Sequence, residues 1–176
     1  MSKIIVLGAG MVGSAMAIDL SKRHDVTSAD LNQKALDRLA IYHKIKTIKQ
    51  DLGDKDMLKD LISSFDLVVS AVPGFMGYET IKTAIECGKD LVDISFLPED
   101  VLPLDELAKK HNVTVIMDFG VAPGMPNFIA GYYYDRMKIN NFEYMVGGLP
   151  KIRKFPFEYK APFSPIDVIE EYTRPA

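Results

Sequence analysis

The chain has 176 residues, 48% hydrophobic and 26% charged, enough for one well-buried domain with some material left over. Against 21 Lys and Arg stand 24 Asp and Glu; the net charge of −3 offers no electrostatic attraction for nucleic acid or an anionic membrane. The single cysteine, Cys87, excludes an intramolecular disulfide framework. No apolar run approaches the ~20 residues that span a bilayer, and Met1-Ser2-Lys3 runs straight into a strand-like segment, so a cytoplasmic protein without a membrane partner is expected.

Strand-like and helix-like segments then alternate, which predicts a parallel sheet covered on both faces. The first strand is Lys3–Leu7, apolar throughout. Gly8-Ala9-Gly10-Met11-Val12-Gly13 follows and opens a helix to about Arg23, with Gly13 and Ala17 toward the sheet. In this G-x-G-x-x-G pattern Gly8 serves a tight turn, Gly10 lets a pyrophosphate approach the backbone, and Gly13 lets the helix lie close to the sheet. Met11 and Val12 carry amides that face the phosphates. Val26–Ala29 forms the second strand, and Asp30, 17 residues after Gly13, is placed to accept hydrogen bonds from the adenosine ribose.

Asn32 is expected to cap a helix over Gln33–Tyr42. Ile45–Gln50 reads as a strand near the sheet edge, with Asp51 beyond it where such folds contact adenine. A helix over Asp54–Ser63, a strand over Asp66–Ala71, a helix over Tyr78–Cys87 stopped by Gly88, and a strand over Leu91–Ser95 come next. Leu104–His111 lies in a helix and Val113–Asp118 in the sixth strand. This pattern completes a doubly wound, Rossmann-type α/β domain, residues 1–126, with strand order 3-2-1-4-5-6. Residues 127–176 begin a second, mixed domain: a helix over Phe128–Met137, a strand over Phe142–Val146, and a short helix Ile166–Tyr172 capped by Ser164. Pro150–Phe163, with three prolines, four aromatic and four basic residues, suits neither a linker nor a regular helix.

Ligands of open α/β sheets sit beyond the carboxyl ends of the strands, where strand order reverses. That rule selects Ser70 and Val72, then Ser95 and Phe96, as contacts to the nicotinamide end of a dinucleotide, although Pro73 and Gly74 also suit a plain turn. Gly120-Val121-Ala122-Pro123-Gly124-Met125-Pro126-Asn127 is too rich in turn residues for an ordinary joint; Gly120, Pro123, Gly124 and Asn127 are candidates to shape a substrate cradle, with Asn127 also a helix cap. Asp93 and Asp118 either orient a substrate amine or are satisfied buried carboxylates. No cluster has metal-ligand spacing, and no residue stands out as a general base. Asp30 favours NAD, since a carboxylate repels the 2′-phosphate of NADP; Asn32 and Lys34 soften that preference and leave NADP open.

The stretches Gly8–Gly13, Asp66–Pro73 (DLVVSAVP), Leu91–Phe96 (LVDISF), Gly120–Asn127 (GVAPGMPN), Gly147–Pro150 (GGLP) and Phe163–Ala176 (FSPIDVIEEYTRPA) together resemble the saccharopine dehydrogenase family, and within it the lysine 6-dehydrogenase type. The resemblance implies a nicotinamide-dependent oxidoreductase acting on the carbon–nitrogen bond of an amino acid such as lysine or saccharopine, and a homodimer. Saccharopine reductases carry a substrate-holding aspartate where Ala122 stands, which shifts the expectation toward lysine-like deamination. Family members are also much longer, so the resemblance implies a truncated chain. The alternative is a dinucleotide-binding regulatory or structural module without turnover.

Overall fold

Burial of Ile4–Leu7 between two layers of helices organises the sheet. A computed structural model describes residues 1–148, 150–156, 158–159 and 169. Of the expected helix over 166–172 only residue 169 is among them. Six parallel strands are ordered 3-2-1-4-5-6: β1 (Lys3–Leu7), β2 (Asp25–Asp30), β3 (Lys46–Lys49), β4 (Leu67–Ser70), β5 (Asp90–Asp93) and β6 (Val115–Ile116). The helices are α1 (Met11–Leu20), α2 (Gln33–His43), α3 (Lys55–Ser63), α4 (Gly74–Glu86), α5 (Asp105–His111, after a 3-10 turn at Leu102–Leu104) and α6 (Met125–Tyr134).

Side chains alternate across a strand, so β1 feeds two cores. Ile4 and Val6 pack with Ala17 of α1 and Leu36 and Leu39 of α2. Ile5 and Leu7 pack on the other side with Leu58 and Ile62 of α3 and Ile81, Ala84 and Ile85 of α4. This is the double winding expected from the sequence. As expected, Asn32 caps α2, its Oδ1 accepting from the amides of Lys34 and Ala35.

Four segments depart from expectation. Helix α4 starts at Gly74 rather than Tyr78, because extended Pro73 serves as its N-cap and accepts from the Met76 amide at 2.9 Å. Strand β6 is confined to Val115–Ile116, and Asp118, at φ 51°, has left the extended conformation. Helix α6 starts at Met125, three residues early: Asn127 is its third residue rather than its cap, and its Oδ1 accepts from the Gly124 amide at 3.2 Å. Residues 142–146 are exposed and form no strand, since no strand pairs with them among the described residues.

By its contacts the chain divides into two compact units, Met1–Asp118 and Phe119–Ala176. The Gly120–Asn127 loop therefore belongs to the second unit, eight residues ahead of the division expected at 126/127. It closes on its own helix: the Met125 amide donates to Gly120 O at 3.0 Å, and Phe119 meets Phe128 edge-on at 4.5 Å.

Ile5 is fully buried, so Ile5→Ala is expected to cost about 2–5 kcal/mol of stability by urea unfolding. Ile41→Ala, on an exposed position, should cost less than about 1 kcal/mol.

Candidate functional site

The exit of β1 is shaped by close approach. Gly8 has φ 105°, and a Cβ there would lie 2.6 Å from the Ala71 carbonyl oxygen, so no other residue fits without strain. A Cβ on Gly13 would collide with the Gly8 carbonyl, which is why α1 can turn back tightly over the strand end. Gly10 differs: a Cβ there would meet nothing within 4 Å. The space above it is open.

The helix amino ends fall into two kinds. Asn32 and Asp54 cap α2 and α3 with their side chains. Helices α1 and α4, which follow the two central strands where strand order reverses, begin at Gly10 and Pro73 with no side-chain cap. No capping side chain competes for the first-turn amides of α1, and the helix dipole favours an anion there. Met11 and Val12 in that turn are 72% and 51% exposed. These features fit the diphosphate of a dinucleotide.

Asp30, half-buried at the end of β2, braces the same loop. Its Oδ2 accepts from the Ala9 amide at 2.6 Å and its Oδ1 from the Asn32 amide at 2.7 Å. Each carboxylate oxygen retains a second lone pair that can accept from a ribose hydroxyl. Asp51 is exposed beyond β3, with Oδ1 accepting from the Gly53 amide at 2.9 Å.

The carboxyl ends of β4 and β5 are drier than expected. Ser70 is fully buried, as is Asp93, its partner in register; Ser95 is 3% exposed and Val72 6%. The Ser95 amide donates to Asp93 Oδ1 at 3.0 Å, and Ser95 Oγ lies 2.5 and 2.6 Å from the two carboxyl oxygens. The hydroxyl proton serves one of these oxygens or is shared between the two. Burial pushes the Asp93 pKa up; the Ser70 and Ser95 hydroxyls and the Ser95 amide oppose this, while the Asp118 charge adds to it. Ser70 Oγ meets no partner in hydrogen-bond geometry, although it lies near enough to Asp93 to exert that pull.

Ser70, Val72 and Ser95 thus line the support beneath the strand ends, while Phe96 is half-buried beside them. Asp118 is half-buried at the end of the first unit. In the second unit Gly124 is buried, Gly120 half-buried, and Pro123, after a cis peptide bond, and Asn127 are exposed. One residue the sequence reading passed over is Gly77, buried in α4, where a Cβ would lie 2.5 Å from Ser95 Oγ and collide with Leu97. Gly77 precedes the helix expected over Tyr78–Cys87, so no local pattern marked it. Burial raises the Cys87 thiol pKa, which disfavours a thiolate nucleophile. Among the described residues no helix is long and apolar enough to cross a membrane.

The sheet order and the glycine loop at its reversal point define a doubly wound dinucleotide-binding fold. The model of the saccharopine dehydrogenase NADP binding domain matches residues 4–116, and that of the saccharopine dehydrogenase C-terminal domain matches residues 120–176. The chain belongs to the saccharopine dehydrogenase family. It is 26% identical to the mitochondrial alpha-aminoadipic semialdehyde synthase of Rattus norvegicus, over 99% of this chain and 20% of that protein. With the Saccharomyces cerevisiae saccharopine dehydrogenase [NADP(+), L-glutamate-forming] it shares 27% identity over 84% of this chain and 34% of that protein. An apo structure of the L-Glu-forming saccharopine dehydrogenase from Saccharomyces cerevisiae superposes with a TM-score of 0.68 at 26% identity, over 77% of this chain and 31% of that one. Scyllo-inositol dehydrogenase from Lactobacillus casei, at 17% identity and a TM-score of 0.60, shares the fold. The chain therefore spans between about a fifth and a third of the length of these curated relatives.

The raised Asp93 pKa has a definite sign. The folded chain holds a proton there at pH values where the unfolded chain has lost it, so stability falls as pH rises from about 3.9 through the raised value. The stability difference between wild type and Asp93→Asn, from urea unfolding at stepped pH, should move against wild type over that window. A pH-independent difference would show that Asp93 does not titrate as argued.

Proposed function

We propose that the chain is the dinucleotide-binding part of an oxidoreductase that acts on the carbon–nitrogen bond of an amino acid. The observation that carries the binding half is the uncapped amino end of α1 beside open Gly10 and braced Asp30. The reaction class rests on membership of the saccharopine dehydrogenase family.

In this reading the amides of Met11, Val12 and Gly13 bind the diphosphate, Asp30 binds the adenosine ribose, and Asp51 lies along the adenine. Ser70, Val72, Ser95 and Phe96 form the floor and edge of the nicotinamide end. A bound nicotinamide cofactor supplies the hydride acceptor for an amine-bearing carbon. Asp118 and the loop residues Gly120, Pro123, Gly124 and Asn127 are assigned to the amino-acid substrate. Ala122 favours a lysine-like amine over saccharopine, because no carboxylate is present at that position. The protein is taken to work as a cytoplasmic homodimer.

NAD is assigned over NADP on Asp30, whose carboxylate would face a 2′-phosphate with like charge. The matched domain and the yeast relative are named for NADP, so the assignment is tested directly. Asp30→Ser is expected to weaken NADH about tenfold or more, as loss of charge-assisted hydrogen bonds does, and NADPH far less. Equal losses for both would remove Asp30 from ribose recognition.

Gly10→Ala gives a second test, by calorimetric titration. A methyl group there meets open space, so stability should change by less than about 1 kcal/mol. Dinucleotide affinity should fall about tenfold or more if a diphosphate lies against the backbone. Unchanged affinity would move the ligand elsewhere. Steady-state assays with lysine and saccharopine, each with NAD and NADP, test the reaction. A second reading, binding without turnover, draws on the sealed position of Asp93, which keeps that acid from reaching a substrate. Saturable cofactor binding with no turnover on any amine would establish it.

A further inference from the structure

Ser70 and Asp93 stand opposite each other where β4 and β5 end. Past Ser70 the chain runs through Ala71, Val72 and Pro73 into α4, and that helix returns to the same place: Gly77 lies against Ser95 and Leu97 with no room for a methyl group. Ser95 is held by Asp93 through both its amide and its hydroxyl. The Ile94 amide also donates to Ser70 O at 3.1 Å, which ties the two strand ends through the backbone. The segment 71–74 is thus fixed at one end by Ser70 and at the other by the seat of Gly77 on Ser95. Asp93 sits between the two attachments.

A fully buried acid is costly to keep unless it performs work that an apolar residue could not. Here an apolar residue could not hold Ser95. Without that hold, the hydroxyl and amide of Ser95 would lose their buried acceptor beneath Gly77. Asp118 is the charged group that acts on Asp93; β4 contributes the neutral Ser70, and α4 contributes Gly77, which has no side chain.

From this geometry we infer that Asp93 is a positioning residue for the nicotinamide half of a bound dinucleotide: by clasping Ser95 under Gly77 it sets the shape of segment 71–74 without touching the ligand. The inference rests on the dinucleotide reading above. It assigns to one buried acid the alignment of the strand-end segment on which hydride transfer depends, while the adenine half is held independently by the glycine loop and Asp30.

Binding of NADH and of ADP-ribose, which lacks the nicotinamide ring, separates the two halves. In the 176-residue chain, Asp93→Ala should weaken NADH about tenfold while ADP-ribose stays within about twofold. The shift in NADH fluorescence on binding should be lost with it. Asp93→Asn should restore NADH to within about threefold of wild type and recover the fluorescence shift, because the amide oxygen still accepts from Ser95 and the amide nitrogen can donate to Ser70. Ser95→Ala, which removes the hydroxyl arm alone, should show the Ala pattern in weaker form and serves if Asp93→Ala does not fold. Equal weakening of both ligands, no weakening of either, or failure of Asn to rescue would overturn the inference. If wild type binds neither NADH, NADPH nor ADP-ribose, the dinucleotide reading itself fails, an outcome distinct from the others.

Discussion

The approach of Gly13 to the Gly8 carbonyl, with Ala71 wedged beside both, is the contact on which the first unit depends. It allows α1 to leave the end of β1 and fold back at once, which brings Ala17 down among Ile4, Val6 and Val69. The same contact places the amino end of α1 next to the end of β4, the Ala71 amide donating to Leu7 O at 2.8 Å. A larger side chain at position 8 or 13 would push helix and strand apart and open the core beneath them.

A second organising feature is the treatment of polar groups at the strand ends. Asp30 engages backbone amides and remains partly open to solvent, whereas Asp93 is sealed and spends its oxygens on Ser95. Two aspartates at comparable positions in the sheet therefore do different work because their surroundings differ. The first faces the glycine loop, the second the underside of a helix. Desolvation raises the proton affinity of Asp93.

Much of this architecture was legible in the residues. Alternation of apolar runs gave the six strands and their order, and Asn32 announced the start of α2 through capping chemistry that needs only local sequence. What local pattern missed was set by tertiary contact. The early start of α4 combines the cap at Pro73 with the seating of Gly77 on a loop eighteen residues away in sequence, and no helical periodicity records the latter. The absent strand at 142–146 shows that an apolar pattern does not make a strand without a partner edge. Ser70 and Ser95 were placed at the correct strand ends, yet their burial could not be read from sequence, because it depends on the helix lying across them.

The contrast between capped and uncapped helices sets a limit on how this fold can be made more robust. Serine or aspartate at positions 10 and 73 would satisfy orphan amides and raise thermal tolerance, as such replacements commonly do. At position 10 the new side chain would also compete for the amides that the proposed diphosphate would use. Selection for heat resistance and selection for ligand capture would then pull that position in opposite directions, whereas Asn32 and Asp54 face no such conflict.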